Sequence, residues 1–381
     1  MNCPNLTFRS DGAFRLMQIS DVQDLCGILP RTKELIGAAL DRERPDFVAL
    51  TGDQLSGNGR KIWFAAKGEK AARIKRTIRE IVELLEARHI PFTFTMGNHD
   101  HSSPLPAEEQ IACYMASGLC HAQDSPAGVP GYANHVTPIY PNRGGDIPAM
   151  LIYCLDSHTA LGAGYMPLDP AQIEWYRNTR DAWAEKNNGQ PIPSLLFQHI
   201  PVEEIIELFK EVPKNTEGAF EGLRNYSGKF FVLNEDLAPG FYGEMPSSPD
   251  TNAGLFETAM ERGEMLGMFF GHDHTNGFHG KVRGLMLGYA PSAGYNAYGA
   301  GRRRGVRVFE FHESNLGAYQ TKIITDEELL GDSKLGLGPR LFDLTPTSVS
   351  DAKNRLRRAA LPALLVLLGI VGLVIVLKLL G

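Results

Sequence analysis

The chain is short of the features that mark secreted, nucleic-acid-binding and several common enzyme classes. Its five cysteines (Cys3, Cys26, Cys113, Cys120, Cys154) are odd in number, scattered and never spaced Cys-x-x-Cys. That excludes a disulfide framework and a zinc knuckle and fits a reducing compartment. Positive charge is not in excess: 38 Lys+Arg stand against 44 Asp+Glu, a net charge of -6 with no Lys/Arg stripe, which weakens any case for binding a phosphate backbone. There is no G-x-S-x-G elbow, no G-x-x-x-x-G-K-[ST] loop and no H-E-x-x-H helix, so serine-hydrolase and P-loop readings fail. The N-terminus lacks a basic stretch followed by an apolar one, so no secretory signal is expected. No internal repeat is visible.

What is present is enough apolar material for a full core, 43% of 381 residues. The 40 Gly and 24 Pro are too few for low complexity and read as turns in one folded unit. Apolar strands alternate with amphipathic helices from the start: a strand at Phe14 to Ile19, a helix at Arg31 to Arg44, a strand at Phe47 to Leu50, a helix at Lys70 to His89 and a strand at Pro91 to Met96. Buried strands follow at Ala149 to Leu155, Ser194 to Phe197 and Leu266 to Phe270, with a helix opened by Asp169-Pro170 between the first two. Short strands at Phe278 to Val282, Leu285 to Tyr289, Val306 to Phe311 and Ala318 to Ile324 predict an antiparallel finish. Residues 1–325 form the expected domain. The stretch 211–252, weakly periodic and rich in Gly, Pro and Asn, reads as an insertion that shapes the pocket rim.

The end of the chain differs in character. Residues 326–358 read as a linker and basic juxtamembrane segment, and Ala359 to Leu377 is an unbroken run of apolar or small residues. At about 1.5 Å per residue such a run spans a hydrocarbon core of about 30 Å, so 359–380 is expected to be a transmembrane helix. Lys353, Arg355, Arg357 and Arg358 precede it and only Lys378 follows, which leaves the large N-terminal part facing the cytoplasm from a single-pass C-terminal anchor in the cell membrane.

The polar clusters sit just after strands: Ser20-Asp21-Val22-Gln23, Gly52-Asp53-Gln54, Gly97-Asn98-His99-Asp100, Gln198-His199 and Gly271-His272-Asp273-His274. In α/β sheets the carboxyl ends of the strands line the ligand crevice, so five such clusters can converge on one site. Carboxylate, amide oxygen and imidazole together suit hard-to-borderline divalent ions, and two ions are the economical solution.

The order D-x-Q, G-D, G-N-H-D, H, G-H-x-H over roughly residues 14 to 312 resembles the calcineurin-like metallophosphoesterase superfamily. Within it the chain looks most like the purple-acid-phosphatase-like branch that carries Gln in the first motif where most relatives carry His. The segments Gly271-His272-Asp273-His274-Thr275-Asn276 and Gly294-Tyr295-Asn296-Ala297-Tyr298-Gly299 strengthen that placement.

The resemblance implies a four-layer α/β/β/α sandwich with two mixed β-sheets and two divalent ions, Mn, Fe or Zn. Asp53 would bridge both ions. Asp21 and His274, with the Gln23 side-chain oxygen as a further ligand, would hold the first; Asn98, His199 and His272 would hold the second. A metal-bridging hydroxide would attack phosphorus. His99 would serve the leaving oxygen, with Asp100 orienting its ring. Two departures bear on this. Gln23 is a neutral amide where imidazole is usual, and Gly52-Asp53-Gln54-Leu55-Ser56 lacks the tyrosine of purple iron centres, so no purple Fe(III) site is expected.

Tyr295 and Tyr298 could contact substrate or pack their loop on the core. His101 and His158 stay outside the catalytic set. The reading is a membrane-tethered dimetal phosphoesterase acting on a phosphorylated small molecule, lipid or protein. The alternatives are a membrane adaptor whose catalysis is impaired through Gln23, and a nuclease or phosphodiesterase of the same superfamily, which the acidic balance disfavours.

Overall fold

The structure, a computed structural model, describes residues 3–57, 66–331, 333–346, 351, 352, 355 and 356. In chain order come β1 (Leu6–Thr7), β2 (Ala13–Ile19), α1 (Pro30–Glu43), β3 (Phe47–Thr51), α2 (Lys67–Glu86), β4 (Phe92–Thr95), α3 (Asn98–His101), α4 (Ala107–Met115), β5 (His135–Tyr140) and β6 (Met150–Cys154). A hairpin of β7 (Ala160–Leu161) and β8 (Gly164–Tyr165) precedes α5 (Pro170–Lys186) and β9 (Ser194–Phe197). Then follow β10 (Phe209–Val212), β11 (Phe220–Glu221), β12 (Phe230–Leu233), β13 (Gly240–Phe241), α6 (Leu255–Met260), β14 (Met265–Phe270), β15 (Gly277–Val282), β16 (Leu285–Tyr289), β17 (Gly305–His312), β18 (Gln320–Thr325), α7 (Asp326–Leu330) and α8 (Leu337–Asp343).

Two large sheets result. One is five-stranded, in the order β18-β17-β2-β3-β4, with β2, β3 and β4 parallel and β17 antiparallel to its neighbours. The other is eight-stranded, β1-β5-β6-β9-β14-β16-β15-β13, and both are mixed. The parallel strands are apolar along their whole length because both faces are covered, as β3 (FVALT) and β9 (SLLF) show.

Three apolar layers separate four layers of structure. Ile36, Ile74, Ile78 and Leu85 pack α1 and α2 on the five-stranded sheet. Leu16, Phe47, Ile152, Phe197, Phe269 and Phe309 fill the space between the sheets, and Tyr153, Ile173, Tyr176 and Phe256 lie under α5 and α6 on the far face.

Local sequence accounts for some of the boundaries. Asp169 caps α5, accepting from the Ala171 N–H at 2.8 Å, with Pro170 in the first turn, where a missing N–H costs nothing. The expected continuation of α2 to His89 does not occur. His89 adopts a left-handed backbone (φ 54°) and Ile90 donates its N–H to Leu85, a turn that ends the helix and aims the chain into β4. The antiparallel finish holds for the hairpin β15–β16 and the pair β17–β18, but the two pairs belong to different sheets and β16 runs parallel to β14. Crossing between sheets, rather than continuing one, carries β17 back beside β2.

One part of the expected fold class is corrected. Among the described residues no helix is long and apolar enough to cross a membrane. The longest of them, α2, intersperses Lys, Arg and Glu with its apolar stripe. The expected transmembrane helix is therefore not among the described elements. The run 359–380 lies outside the described residues. The segment read as a linker opens as ordered structure: Thr325 caps α7, and buried Asp326 accepts from Arg31, Arg302 and the Tyr295 hydroxyl. Tyr295 thus packs and ties its loop.

Candidate metal centre

Each polar cluster begins where a parallel strand ends. Ile19 of β2 pairs with Leu50 of β3, and Thr51 pairs with Thr95 of β4, so Asp21, Asp53 and Asn98 leave three adjacent strands at one edge. In the other sheet Phe197 of β9 pairs with Phe269 of β14, which brings His199 beside the loop carrying His272 and His274.

The loops are held to each other backbone to backbone. The Asp21 N–H donates to the Gly52 carbonyl at 3.1 Å and the Gln23 N–H to the Asp53 carbonyl at 2.9 Å. Asp21, Gln23, Asp53 and His272 all sit in left-handed backbone conformations, φ 47° to 73°, unfavourable for side chains with a Cβ; those bonds hold the first three, and the His272 N–H donates to Asp21 Oδ2. Two motif glycines are required by close approach. A Cβ on Gly97 would lie 2.2 Å from Asp53 Oδ1, and one on Gly271 would lie 1.9 Å from Ser20 Oγ.

The side chains meet in two groups that share Asp53: Asp53 with His199 and His272, and Asp21 with Asp53 and His274. Within each group the ligand atoms lie within 4.8 Å of one another. His199 Nε2 is 3.2 Å from Asp53 Oδ2, and His274 Nε2 is 3.3 Å from Asp21 Oδ1. Both imidazoles donate Nδ1–H to a backbone carbonyl, His199 to Thr51 at 2.9 Å and His274 to Tyr298 at 2.8 Å, which leaves each Nε2 with its lone pair facing the centre.

Asp21 Oδ1, Asn98 Oδ1 and His199 Nε2 are buried without a hydrogen-bond partner. Such unsatisfied acceptors are costly, and their convergence fits a divalent cation. The donor set of carboxylate, amide oxygen and imidazole fits the same conclusion.

Electrostatics agree. Burial would raise the Asp53 carboxyl, yet His199 and His99 hold it well below the usual carboxylate range. Burial opposes protonation of His199, but Asp53 and Asp21 push its imidazole up to about 10. Burial and the neighbouring His199 lower His272.

Two assignments differ from expectation. Asp100 does not reach the His99 ring; its carboxylate accepts from the Leu55 N–H at 3.0 Å and the Gly97 N–H at 2.9 Å, bracing the turn that delivers Asn98. Burial first, and then the charge of Asp53, push Asp100 up to about 7. Gln23 presents nitrogen rather than oxygen: Nε2 donates to Asp53 Oδ2 at 3.0 Å and faces His274 Nε2 at 3.0 Å. Both neighbours are acceptors, which fixes the amide this way round.

His99 is the most open member, its side chain 37% exposed, with Nε2 3.9 Å from Asp53 Oδ2. His101 bonds Asp156 and His158 bonds Gln172, both structural partnerships.

Sequence reasoning gave no role to Ser20, whose hydroxyl donates to Asp21 Oδ2 at 2.6 Å. It also missed Tyr165, edge-on to His272 at 4.5 Å, and Glu244. Ser20 lay inside a motif and could have been found; Tyr165 and Glu244 lie in stretches with no periodic signal.

The profile of the calcineurin-like phosphoesterase family matches residues 14–276, and the chain belongs to that family. It is similar to "Probable inactive purple acid phosphatase 14" of Arabidopsis thaliana, 27% identical over 343 residues, covering 80% of this chain and 77% of that one. It is also similar to Phosphatase DCR2 of Saccharomyces cerevisiae, 24% identical, covering 70% of this chain and 45% of that protein. Among solved structures, a dimetal phosphatase from Danio rerio aligns with a TM-score of 0.48 at 12% identity, over 82% of this chain and 98% of that one.

Proposed function

We propose that the protein hydrolyses phosphate esters at a centre holding two divalent ions. The observation that carries the reading is the set of buried acceptors with no partner, Asp21 Oδ1, Asn98 Oδ1 and His199 Nε2, gathered around Asp53. Asp53 and His274 complete one ion site with Asp21; Asp53 and His272 complete the other with Asn98 and His199. A pair of divalent ions would supply Lewis-acid chemistry there, making water nucleophilic near neutral pH and neutralising phosphate oxygens.

The chain's own groups do the rest. Asp53 would be shared by the two sites. Asp53 Oδ1 also accepts the His99 backbone N–H at 2.8 Å, which fixes where the His99 side chain starts. His99, half open to solvent, delivers a proton to the alcohol oxygen as the P–O ester bond breaks. Asp100 keeps the Asn98 turn in register rather than handling protons. Phosphorylated small molecules, lipids or proteins are the substrate class.

A second reading has an observation in its favour. Gln23 donates into the first group, where an ion would compete for the same lone pairs, and several relatives carry "probable inactive" in their names. In that reading the fold binds ions or partners without turnover. Titrating Mn(II), Fe(II) and Zn(II) into metal-stripped protein, with an aryl phosphate as substrate, separates the two. Two ions per chain with turnover supports the esterase; two ions without turnover on a panel of esters supports the impaired form.

A further inference from the structure

The loop from Gly271 to Asn276 carries two of the three imidazoles, and each of its other polar side chains is gripped from outside the centre. Asp273 Oδ2 accepts from the Ser247 N–H at 3.1 Å and from the Tyr289 hydroxyl at 2.7 Å. Thr275 donates both its N–H and its hydroxyl to Glu244 Oε1, each at 2.9 Å. Asn276 Oδ1 accepts the Gly243 N–H at 3.1 Å and the Glu244 N–H at 3.4 Å. One short stretch, residues 243–247, is therefore laced along the back of the ligand loop.

Glu244 is the hub. Its second oxygen, Oε2, accepts the Tyr298 hydroxyl at 2.9 Å. Tyr298 in turn reaches His274 twice. Its ring stacks on the imidazole at 4.3 Å with 14° between planes, and its carbonyl accepts Nδ1–H. The carbonyl fixes which nitrogen carries the proton; the stacked ring fixes the plane of the imidazole. Glu244 holds both that ring and the backbone N–H next to His274, so tilt and position of the ligand are set together. His199 is placed by other means, the Thr51 carbonyl, and His272 borders Tyr165 instead.

We infer that Glu244 and Tyr298 are positioning residues for His274, so that Glu244, from the stretch 211–252 that sequence alone suggests as a pocket rim, tunes the affinity of one ion site rather than both. The inference rests on the reading of the centre as an ion pair. Orienting groups of this kind typically govern metal affinity by about 10- to 100-fold when removed.

The test is calorimetric titration of Mn(II) into the metal-stripped full chain, resolving two binding events, alongside thermal melting of the metal-free protein. Glu244→Ala is expected to weaken one event by about 10- to 100-fold and to leave the other within about threefold. Glu244→Gln, whose amide oxygen still accepts from Thr275, is expected to recover most of the loss. Tyr298→Phe keeps ring and carbonyl and should fall between wild type and Glu244→Ala, with the effect on the same event.

Two events in the wild type that weaken equally in Glu244→Ala, or that do not change, overturn the inference while leaving the dimetal reading intact. A wild type that takes up no ion overturns the dimetal reading itself. Should Glu244→Ala melt below working temperature, Tyr298→Phe decides: both events unchanged in that variant reject the positioning role.

Discussion

The two sheets contribute opposite chemistry to the one site. Among the groups that would face an ion, the five-stranded sheet supplies the oxygen-bearing ones, Asp21 and Gln23 after β2, Asp53 after β3 and Asn98 after β4, whereas the eight-stranded sheet supplies the three imidazoles, His199 after β9 and His272 and His274 after β14; His99, after β4, stands outside that set. Neither sheet alone holds a divalent ion with this donor set. The seam between them is accordingly cross-bonded at the same end. Gln18 Nε2 donates at 3.0 Å to the Phe270 carbonyl, the His272 N–H donates at 3.0 Å to Asp21 Oδ2, and His199 Nδ1–H reaches Thr51. Packing of the sheets and assembly of the site are thus one event, which ties function directly to the inter-sheet core.

The sharpest way to break the comparison is to remove the group that the two proposed ion sites share. Asp53→Ala is expected to lower metal-dependent hydrolysis of an aryl phosphate by at least about 10⁴-fold, measured as kcat/KM with excess Mn(II). Turnover unchanged in that variant would refute the centre. The seam can be attacked without touching a ligand. Phe309 packs edge-on against Phe269 at 4.5 Å and Phe197 at 5.8 Å, between the sheets and fully buried. Phe309→Ala should cost about 3–5 kcal/mol of stability by denaturant unfolding. A loss below about 1 kcal/mol would show that the sheets do not depend on this core.

Much of this was legible because the signals were local. Parallel strands covered on both faces read as unbroken apolar runs, and the clusters following them named Asp21, Asp53, Asn98, His199, His272 and His274 in order. The half of the site least legible is the support behind the imidazoles. Glu244 lies in a stretch without period, and its partnership with Thr275 and Tyr298 exists only once residues 244, 275 and 298 meet in space. β5 was hidden for a related reason: its buried face carries His135 and Thr137 beside Ile139, and Pro138 sits within the strand, so the usual inward-apolar pattern is broken. The roles of Asp100 and Gln23 could not be read either, since a residue type in a motif does not say which way its polar atoms face.

His135 also makes the contrast between sheets depend on acidity. It is buried at the edge of the inter-sheet core, bonded to the Ala133 carbonyl and Thr93, and burial pushes its pKa down to about 4. Native His135 stays neutral at a pH where the unfolded chain, with an imidazole near 6.5, has already taken up a proton. The sign follows: stability is full above about 6.5 and is lost as pH falls toward about 4, with a contribution of roughly 3 kcal/mol from this group. Melting temperature should therefore drop between pH 7 and pH 4.5, and the drop should be shallower in His135→Gln. An equal slope in both proteins would assign the acid sensitivity elsewhere.

The smallest expected effect concerns the one position where the oxygen-bearing sheet breaks its own pattern. Gln23 sends an N–H donor toward Asp53 Oδ2 and His274 Nε2, two acceptors an ion would use. Every bond it makes there must be given up when an ion enters. Gln23→His exchanges that donor for an imidazole whose lone pair can face the same place, as in the commoner form of the motif, and removes the competition. The ion held by Asp21 and His274 should then bind about tenfold tighter, roughly 1.4 kcal/mol, while the ion held by Asn98, His199 and His272 stays as it is. Calorimetric titration of Mn(II) into the metal-stripped variant reads both. A weaker first event would mean that the Gln23 amide supports the site rather than competing with it, and the two sheets would then differ in chemistry without differing in purpose.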